Sequence, residues 1–270
     1  MNITFIGGGN MASAIIGGLV RQNFDAKLLH AVEIIPELRE QLARRFGVSS
    51  FASAEQLPVA GDIVVLAVKP QQMRTAVKPL IPKLHGQVVL SIAAGIRIAD
   101  LSRWLGGYAR IIRCMPNTPA LIGAGITAAY AASMITLAER HAVERILKAI
   151  GNVIWIENEA LLDPVTAVSG SGPAYVFYFI EALRDAAKEL GLSADVANTL
   201  AIETFVGAAK LAAQDKDDVT TLRERVTSKR GTTEAALKSM AADHVKEAII
   251  RAVNAANERG RELGEELGKN

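Results

Sequence analysis

The sequence predicts an α/β protein: a doubly wound parallel sheet over residues 1–158, followed by an all-α domain over residues 159–270. Three observations support this. The apolar run Ile3–Ile6 breaks at three glycines and continues as a helix-like stretch. Strand-like and helix-like segments then alternate, which is typical of a doubly wound sheet with mixed pairing allowed at its edge. Beyond residue 158 strand signals almost vanish, and alanine-rich helical periodicity takes over.

Composition limits the classes of function. Half of the 270 residues are hydrophobic, which is enough for a sizeable core. The formal charge is +2. The sequence has no basic stripe with interleaved aromatic residues, so it gives no indication of nucleic acid binding. Cys114 is the only cysteine, so an intrachain disulfide is excluded; we interpret it as a core residue rather than a nucleophile. Without a signal-like or membrane-spanning segment, we expect a soluble cytoplasmic protein.

The glycine-rich stretch after the first strand predicts a dinucleotide site. Gly7 permits a sharp turn, Gly9 permits close approach of the backbone to a pyrophosphate, and Ala12 permits close packing of helix on strand. The diphosphate would lie at the N–H groups of the helix start, as in a Rossmann fold. A plain turn is the alternative. The cofactor-binding residues predicted in this stretch are Ile6, Gly7, Gly8, Gly9, Asn10, Met11 and Ala12.

Glu33 ends the second predicted strand, 27–32, and lies 21 residues beyond Ala12. A carboxylate in this place binds the ribose 2′-hydroxyl of NAD and repels a 2′-phosphate. The next arginine, Arg39, is already on a predicted helix, so the residues favour NADH. Replacing Glu33 with Ala would then improve the use of NADPH. An ordinary solvated acid is the alternative.

Three further strand ends are expected at the same edge of the sheet, where ligands of doubly wound folds bind. They follow the predicted strands 63–68, 87–92 and 109–113. Small residues after the second strand suit a nicotinamide face, and prolines fix the loop after the third. The cofactor-binding residues predicted there are Ala67, Val68, Lys69, Pro70, Ala93, Ala94, Gly95 and Asn117.

The all-α domain carries two features of interest. A long helix, with Ser169 as its predicted cap and running to Leu190, is apolar around most of its circumference. We expect a partner subunit to cover it; burial between the chain's own domains is the alternative. The hydroxyl- and glycine-rich stretch Val226–Leu237 predicts a second helix start that holds an anion, with an unliganded capping box as the alternative. The four histidines lack metal-like spacing, so we predict no metal site.

Several of these stretches together resemble the pyrroline-5-carboxylate reductase family. They are Ile6–Ala12, Ala67–Pro70, Ser91–Gly95, Arg113–Ala120, Thr166–Tyr175 and Val226–Leu237. The resemblance spans nearly the whole chain and implies a Rossmann domain followed by an all-α dimerisation domain. It implies a homodimer, which in the family often assembles further into a decamer. It also implies hydride transfer from NADPH or NADH to the C=N carbon of (S)-1-pyrroline-5-carboxylate, giving L-proline.

The resemblance also implies roles for single residues. Thr233 matches the family threonine whose hydroxyl contacts the imine nitrogen, which makes it the candidate catalytic donor. Ser228 and the N–H groups of Gly231 and Thr232 would hold the substrate carboxylate. Glu159 falls where the family places an acidic substrate contact; a solvated acid near the domain boundary is the alternative.

Three points stay open at this stage. Lys229-Arg230 replaces the Pro-Gly pair common in the family, so a left-handed backbone is less favourable there. Many family members prefer NADPH whereas Glu33 favours NADH, so we expect both to serve. The rival functions are a β-hydroxyacid dehydrogenase relative, which would need a lysine as acid, and a non-catalytic dinucleotide-binding regulator.

Overall fold

The computed structural model describes residues 1–58 and 60–269. Its contacts divide the chain into two compact units. The first contains Met1–Ser171 and the chain from Ala256 onwards, and the second contains Gly172–Ala255. This division differs from the predicted domains because Leu162–Val165 packs against the sheet of the first unit, and the chain from Ala256 onwards belongs to that unit as well. The domain boundary at residue 158 stays a prediction.

One eight-stranded sheet forms the centre of the first unit within the described residues. Its strands are β1 (Ile3–Ile6), β2 (Leu29–Val32), β3 (Ser49–Phe51), β4 (Ile63–Leu66), β5 (Val88–Ser91), β6 (Ile111–Met115), β7 (Gly125–Ala131) and β8 (Gly151–Trp155). The order is β3-β2-β1-β4-β5-β6-β7-β8, and only the pair β6 and β7 is antiparallel. The first six positions have the order of a dinucleotide-binding sheet. The predicted doubly wound sheet with a mixed edge is confirmed.

Side chains of the sheet alternate between two buried clusters. The helices of this unit are α1 (Asn10–Arg21), α2 (Pro36–Phe46), α3 (Met73–Val77), α4 (Ile98–Trp104), α5 (Leu137–Lys148) and α6 (Leu162–Val165). Along β4, Ile63 and Val65 belong to the cluster that contains residues of α1 and α5. Val64 and Leu66 belong to the cluster of α3 and α4. This alternation explains why β4 is apolar throughout: both of its faces are covered.

Several local predictions differ from the structure. The stretch after β4 forms only the short helix α3 between two 3₁₀ segments, because prolines at 70, 79 and 82 remove backbone donors. Two strands were not predicted: β3 has only three residues, and four of the seven residues of β7 are glycine or alanine, which are weak strand formers. Ser169 does not cap the long helix, since it lies in a π-helical turn, Thr166–Gly170, that follows α6.

The second unit is helical. Its helices are α7 (Gly172–Glu189), α8 (Ala194–Gln214), α9 (Val219–Arg225), α10 (Thr232–Ala242) and α11 (Val245–Gly268), the last of which extends into the first unit from Ala256. Helices α7 and α8 pack together. On α7, Phe177 is 65% exposed and Tyr178 is 71% exposed. Neighbouring large apolar side chains that are this exposed are typical of association surfaces. In the described part of the chain, no helix combines the length and apolar character that crossing a membrane requires.

Candidate active site

The carboxyl ends of β1, β4, β5 and β6 lie side by side. In the register of the sheet, Ile6 pairs with Leu66, Leu66 with Ser91, and Ser91 with Arg113. The segments that follow these strands carry the residues predicted to bind the cofactor. The structure therefore brings these segments to one edge of the sheet, at the place where doubly wound folds bind nucleotides.

The glycine turn fits a dinucleotide diphosphate. Gly7 has a φ of +100°, and a Cβ added there would lie 2.8 Å from the carbonyl oxygen of Ala67. Gly9 is the N-cap of α1, and among the described residues nothing lies within 4 Å of a Cβ built on it. The first-turn N–H groups, including that of Asn10, have no intrahelical acceptor, and the helix dipole adds positive potential. Ala12 is fully buried against the core, as close packing of helix on strand requires.

Glu33 does not present a free carboxylate to a ribose. It is buried, its Oε2 accepts the N–H of Gly8 at 2.7 Å, and its Oε1 accepts that of Ile35 at 2.9 Å. Nη1 of Arg39 donates to the carbonyl oxygens of Glu33 at 2.7 Å and Ile34 at 3.0 Å. The guanidinium of Arg39, a residue of α2, thus lies at the end of β2, beside the expected position of an adenosine 2′-substituent. Arg39 is therefore close to the end of β2, and the prediction that it lies too far along α2 to matter there was wrong.

The other predicted cofactor segments differ in accessibility. Ala67, Val68 and Pro70 are half-buried, and Lys69 is exposed. Ala93 is buried, while Ala94 and Gly95 are half-buried. Ala94 and Gly95 are both small and partly accessible, which fits the approach of a flat ring to the backbone after β5.

The loop after β6 is held by Asn117. Its Oδ1 accepts the N–H of Ile126 at 3.0 Å, and its Nδ2 donates to Oγ of Ser169 at 3.4 Å. The Asn117 side chain is therefore occupied in fixing the loop against β7. Cys114 is buried in β6, and burial raises the pKa of its thiol well above the ordinary value. The thiol stays protonated, which agrees with a core residue rather than a nucleophile.

In the second unit, a tight turn opens α10. The N–H of Gly231 donates to the carbonyl oxygen of Ser228 at 3.0 Å. A Cβ on Gly231 would lie 2.5 Å from Oγ of Ser228, so glycine keeps this hydroxyl close to the helix start. Arg230 adopts a left-handed φ of +58°, and its N–H donates to Oε2 of Glu234 at 2.6 Å. A capping box with threonine at the cap does not form, because the N-cap is Gly231 and no side chain caps it.

The first turn of α10 offers donors for an anion. The N–H of Gly231, which was predicted to hold a carboxylate, is donated to the carbonyl oxygen of Ser228 in this structure. The N–H groups of Thr232 and Thr233 lie in the first turn, where no intrahelical acceptor reaches them. Ser228 and Thr232 are exposed, and Thr233 is half-buried. Three hydroxyls and the positive end of an 11-residue helix suit a small carboxylate.

Glu159 belongs to the first unit, at the start of the 3₁₀ turn Glu159–Leu161. Its Oε1 accepts from Nη1 of Arg113 at 2.6 Å and from the N–H of Ile98 at 2.7 Å. It is therefore an ion-paired side chain and not the solvated acid of the alternative. Sequence analysis assigned no role to Arg113. The available signal was a cation inside the otherwise apolar strand β6, which predicts a buried partner.

No group of three or more His, Cys, Asp or Glu residues that could hold a metal ion occurs in the part of the chain that the structure describes. The chemistry available at the edge of the sheet and at the start of α10 is anion binding and hydrogen bonding.

Comparison with known proteins agrees with this arrangement. The family model described as pyrroline-5-carboxylate reductase dimerisation matches residues 159–263, and the model described as NADP oxidoreductase, coenzyme F420-dependent, matches residues 2–95. Pyrroline-5-carboxylate reductase of Pseudomonas aeruginosa is 43% identical over 268 residues, covering 99% of this chain and 98% of the relative. A solved pyrroline-5-carboxylate reductase from Coxiella burnetii has a TM-score of 0.92 at 38% identity, covering 97% of this chain and 98% of the other. Pyrroline carboxylate reductase from Plasmodium falciparum, solved with NADP bound, has a TM-score of 0.87 at 29% identity, covering 98% of both chains. The chain therefore belongs to the pyrroline-5-carboxylate reductase family.

Proposed function

We propose that the protein reduces (S)-1-pyrroline-5-carboxylate to L-proline, the last step of proline biosynthesis. The full-length match to the Pseudomonas aeruginosa reductase carries this proposal, because it includes both the nucleotide-binding unit and the turn at α10. When bound, NAD(P)H supplies the hydride that adds to the C=N carbon. A cyclic imine protonates readily, so the protein needs no strong base and acts mainly by orienting the reactants.

The first unit holds the cofactor in this proposal. The first-turn N–H groups of α1 bind the diphosphate in the open space at Gly9. Glu33 acts indirectly, since its carboxylate fixes the N–H groups of Gly8 and Ile35. Arg39 stands where a 2′-phosphate would place its charge. We expect both NADPH and NADH to serve, with Arg39 favouring NADPH.

The second unit supplies the substrate contacts. The hydroxyl of Ser228 and the N–H groups of Thr232 and Thr233 hold the carboxylate, with the dipole of α10 behind them. The hydroxyl of Thr233 forms a hydrogen bond with the imine nitrogen and is the proposed catalytic residue.

The protein forms a homo-oligomer through its all-α domain. We propose a homodimer as its unit and a decamer of five such dimers as the larger assembly, which light scattering after gel filtration would distinguish. The exposed aromatic side chains of α7 support such a contact. We propose a cytoplasmic location as well, since the single cysteine fits a reducing compartment.

Oxidation of NADPH and NADH by purified protein with pyrroline-5-carboxylate tests the reaction. Thr233→Ala is expected to lower kcat/KM by about a hundredfold, the range of one positioned donor, with the Kd of NADPH unchanged. Thr221→Ala, an exposed threonine on α9, is the matched control and should behave as the parent protein. A folded protein that binds dinucleotide but gives no turnover would favour the regulator. Reduction of NAD⁺ driven by hydroxyacids would favour the dehydrogenase relative.

A further inference from the structure

A partly buried ion pair joins three elements next to the segment that follows β5. The side chain of Arg113 on β6 is 5% exposed, and that of Glu159 is 26% exposed. Their Nη1 and Oε1 atoms are 2.6 Å apart. The same carboxylate oxygen accepts the N–H of Ile98, the first residue of α4, at 2.7 Å. One oxygen atom therefore ties β6 and the start of α4 to the turn that begins at Glu159.

This ion pair costs free energy that an apolar pair of the same size would not. Removing two charges from water carries a desolvation penalty that two apolar side chains would avoid. Nε of Arg113 is also buried without a hydrogen-bond partner among the described residues. What the carboxylate provides, and an apolar side chain would not, is a directed acceptor for Ile98. The N-cap residue of α4, Arg97, offers no side-chain hydrogen bond of its own.

The segment 93–97 is fixed at both ends by hydrogen bonds. At its start, the N–H of Ala93 donates to Oγ of Ser91 at 3.3 Å. At its end, Ile98 donates to the carboxylate of the ion pair. Between these points Gly95 adopts a left-handed φ of +76°, which permits a sharp change of direction. These are the small residues predicted to face the nicotinamide.

We propose that Arg113 and Glu159 are positioning residues for the nicotinamide end of the cofactor. Arg113 orients the carboxylate, the carboxylate fixes the N–H of Ile98, and the backbone of segment 93–97 keeps the shape that receives the ring. Glu159 then acts on the cofactor through the loop and is not a substrate ligand. The inference rests on the cofactor site of the proposed function.

The test replaces the pair by two apolar residues, in the double variant Arg113→Met/Glu159→Leu, so that no buried charge is left without a partner. The single variant Glu159→Gln keeps the size of the side chain and removes its charge. The ion pair between Glu144 and Lys148 on α5 is the control at another place in the first unit, with a more exposed cation, since the Lys148 side chain is 58% exposed. It has the same separation, 2.6 Å, and its carboxylate side chain is 24% exposed. The control variants are Lys148→Met/Glu144→Leu and Glu144→Gln.

Two ligands separate the ends of the cofactor site: NADPH, and adenosine 2′,5′-bisphosphate, which lacks the nicotinamide half. Their Kd values are measured by calorimetry without substrate. We expect the double variant to raise the Kd of NADPH by about tenfold or more, as misplacement of a positioned group does. Glu159→Gln keeps an acceptor oxygen for the N–H of Ile98, so its effect on this Kd should be smaller. The Kd of the bisphosphate should stay within about twofold, and the control variants should change neither value.

Each other outcome overturns the inference. An unchanged Kd of NADPH would show that the loop does not need the pair. Equal weakening of both ligands would show a general structural role. An unchanged Kd of NADPH with a raised KM for pyrroline-5-carboxylate would make Glu159 a substrate ligand. Because these Kd values need no turnover, a protein that fails to reduce pyrroline-5-carboxylate would refute the proposed function and leave the inference to be judged by binding.

Discussion

Replacing Gly9 with alanine should separate the fold of the first unit from its cofactor site. Gly9 has φ −68° and ψ −170°, a conformation open to any residue, and its added Cβ meets nothing within 4 Å among the described residues. Alanine is a poorer N-cap than glycine by about 1 kcal/mol. Alanine also restricts the unfolded chain, which returns about 0.4–1 kcal/mol. The free energy of unfolding should therefore change by less than about 1 kcal/mol.

Cofactor binding should respond much more strongly. The methyl group would occupy the space into which the diphosphate is proposed to come. Losing one hydrogen bond between a backbone N–H and a charged phosphate costs about 1.5–3 kcal/mol, which is about a 10- to 150-fold rise in Kd. Thermal unfolding of the cofactor-free protein and calorimetric titration with NADPH measure the two effects separately.

Gly7→Ala is the contrasting variant. Its Cβ would lie 2.8 Å from the carbonyl oxygen of Ala67 at a φ of +100°, so we expect it to destabilise the fold itself. NADPH binding by Gly9→Ala within twofold of the parent protein would refute the placement of the diphosphate. A stability loss above about 2 kcal/mol in Gly9→Ala would instead refute the steric reasoning, which allows about 1 kcal/mol.

Three further predictions concern single side chains. Arg230→Gly should raise the free energy of unfolding by about 0.5–1 kcal/mol in urea, because left-handed geometry costs other residues about 1–2 kcal/mol and the flexibility of glycine takes part of this back. Lys229→Gly should give no such gain, and equal gains would contradict the argument. Arg39→Gln should raise the KM for NADPH by about tenfold and leave that for NADH unchanged, since only NADPH carries the charged 2′-phosphate; equal losses would count against this role. Cys114 should resist thiol reagents until the protein unfolds, because burial raises its pKa. The unfolded thiol ionises near about pH 8.5, so stability should fall as pH rises beyond that value, and rapid labelling of the native protein would disprove the burial argument.

The sheet was predictable wherever strand chemistry is local. Strand β4, Ile63–Leu66, is a continuous β-branched and apolar run, which a strand covered on both faces requires. The ends of helix α2 are likewise readable from the chain, because Pro36 begins it and Gly47, with a left-handed φ of +70°, ends it. Strand β7 could not be predicted, since its glycine and alanine residues form a strand only through pairing with β6 and β8.

The candidate site also contains features that could be predicted from local sequence and features that could not. The turn at Gly7 was predictable because its chemistry lies in the backbone of consecutive residues. The state of Glu33 was not, because its position in the chain does not show that Gly8 and Ile35 already occupy both of its oxygens. The reach of Arg39 back from α2 likewise depends on how that helix packs.

The exposed aromatic side chains of α7 have a consequence for the stability of the protein in solution. If Phe177 and Tyr178 leave water only when another copy of the chain arrives, then folding and association are linked equilibria. The melting temperature should then rise with protein concentration, and dilution alone should act as a denaturant. The concentration of the protein in a cell would thereby set the fraction of its copies that is folded.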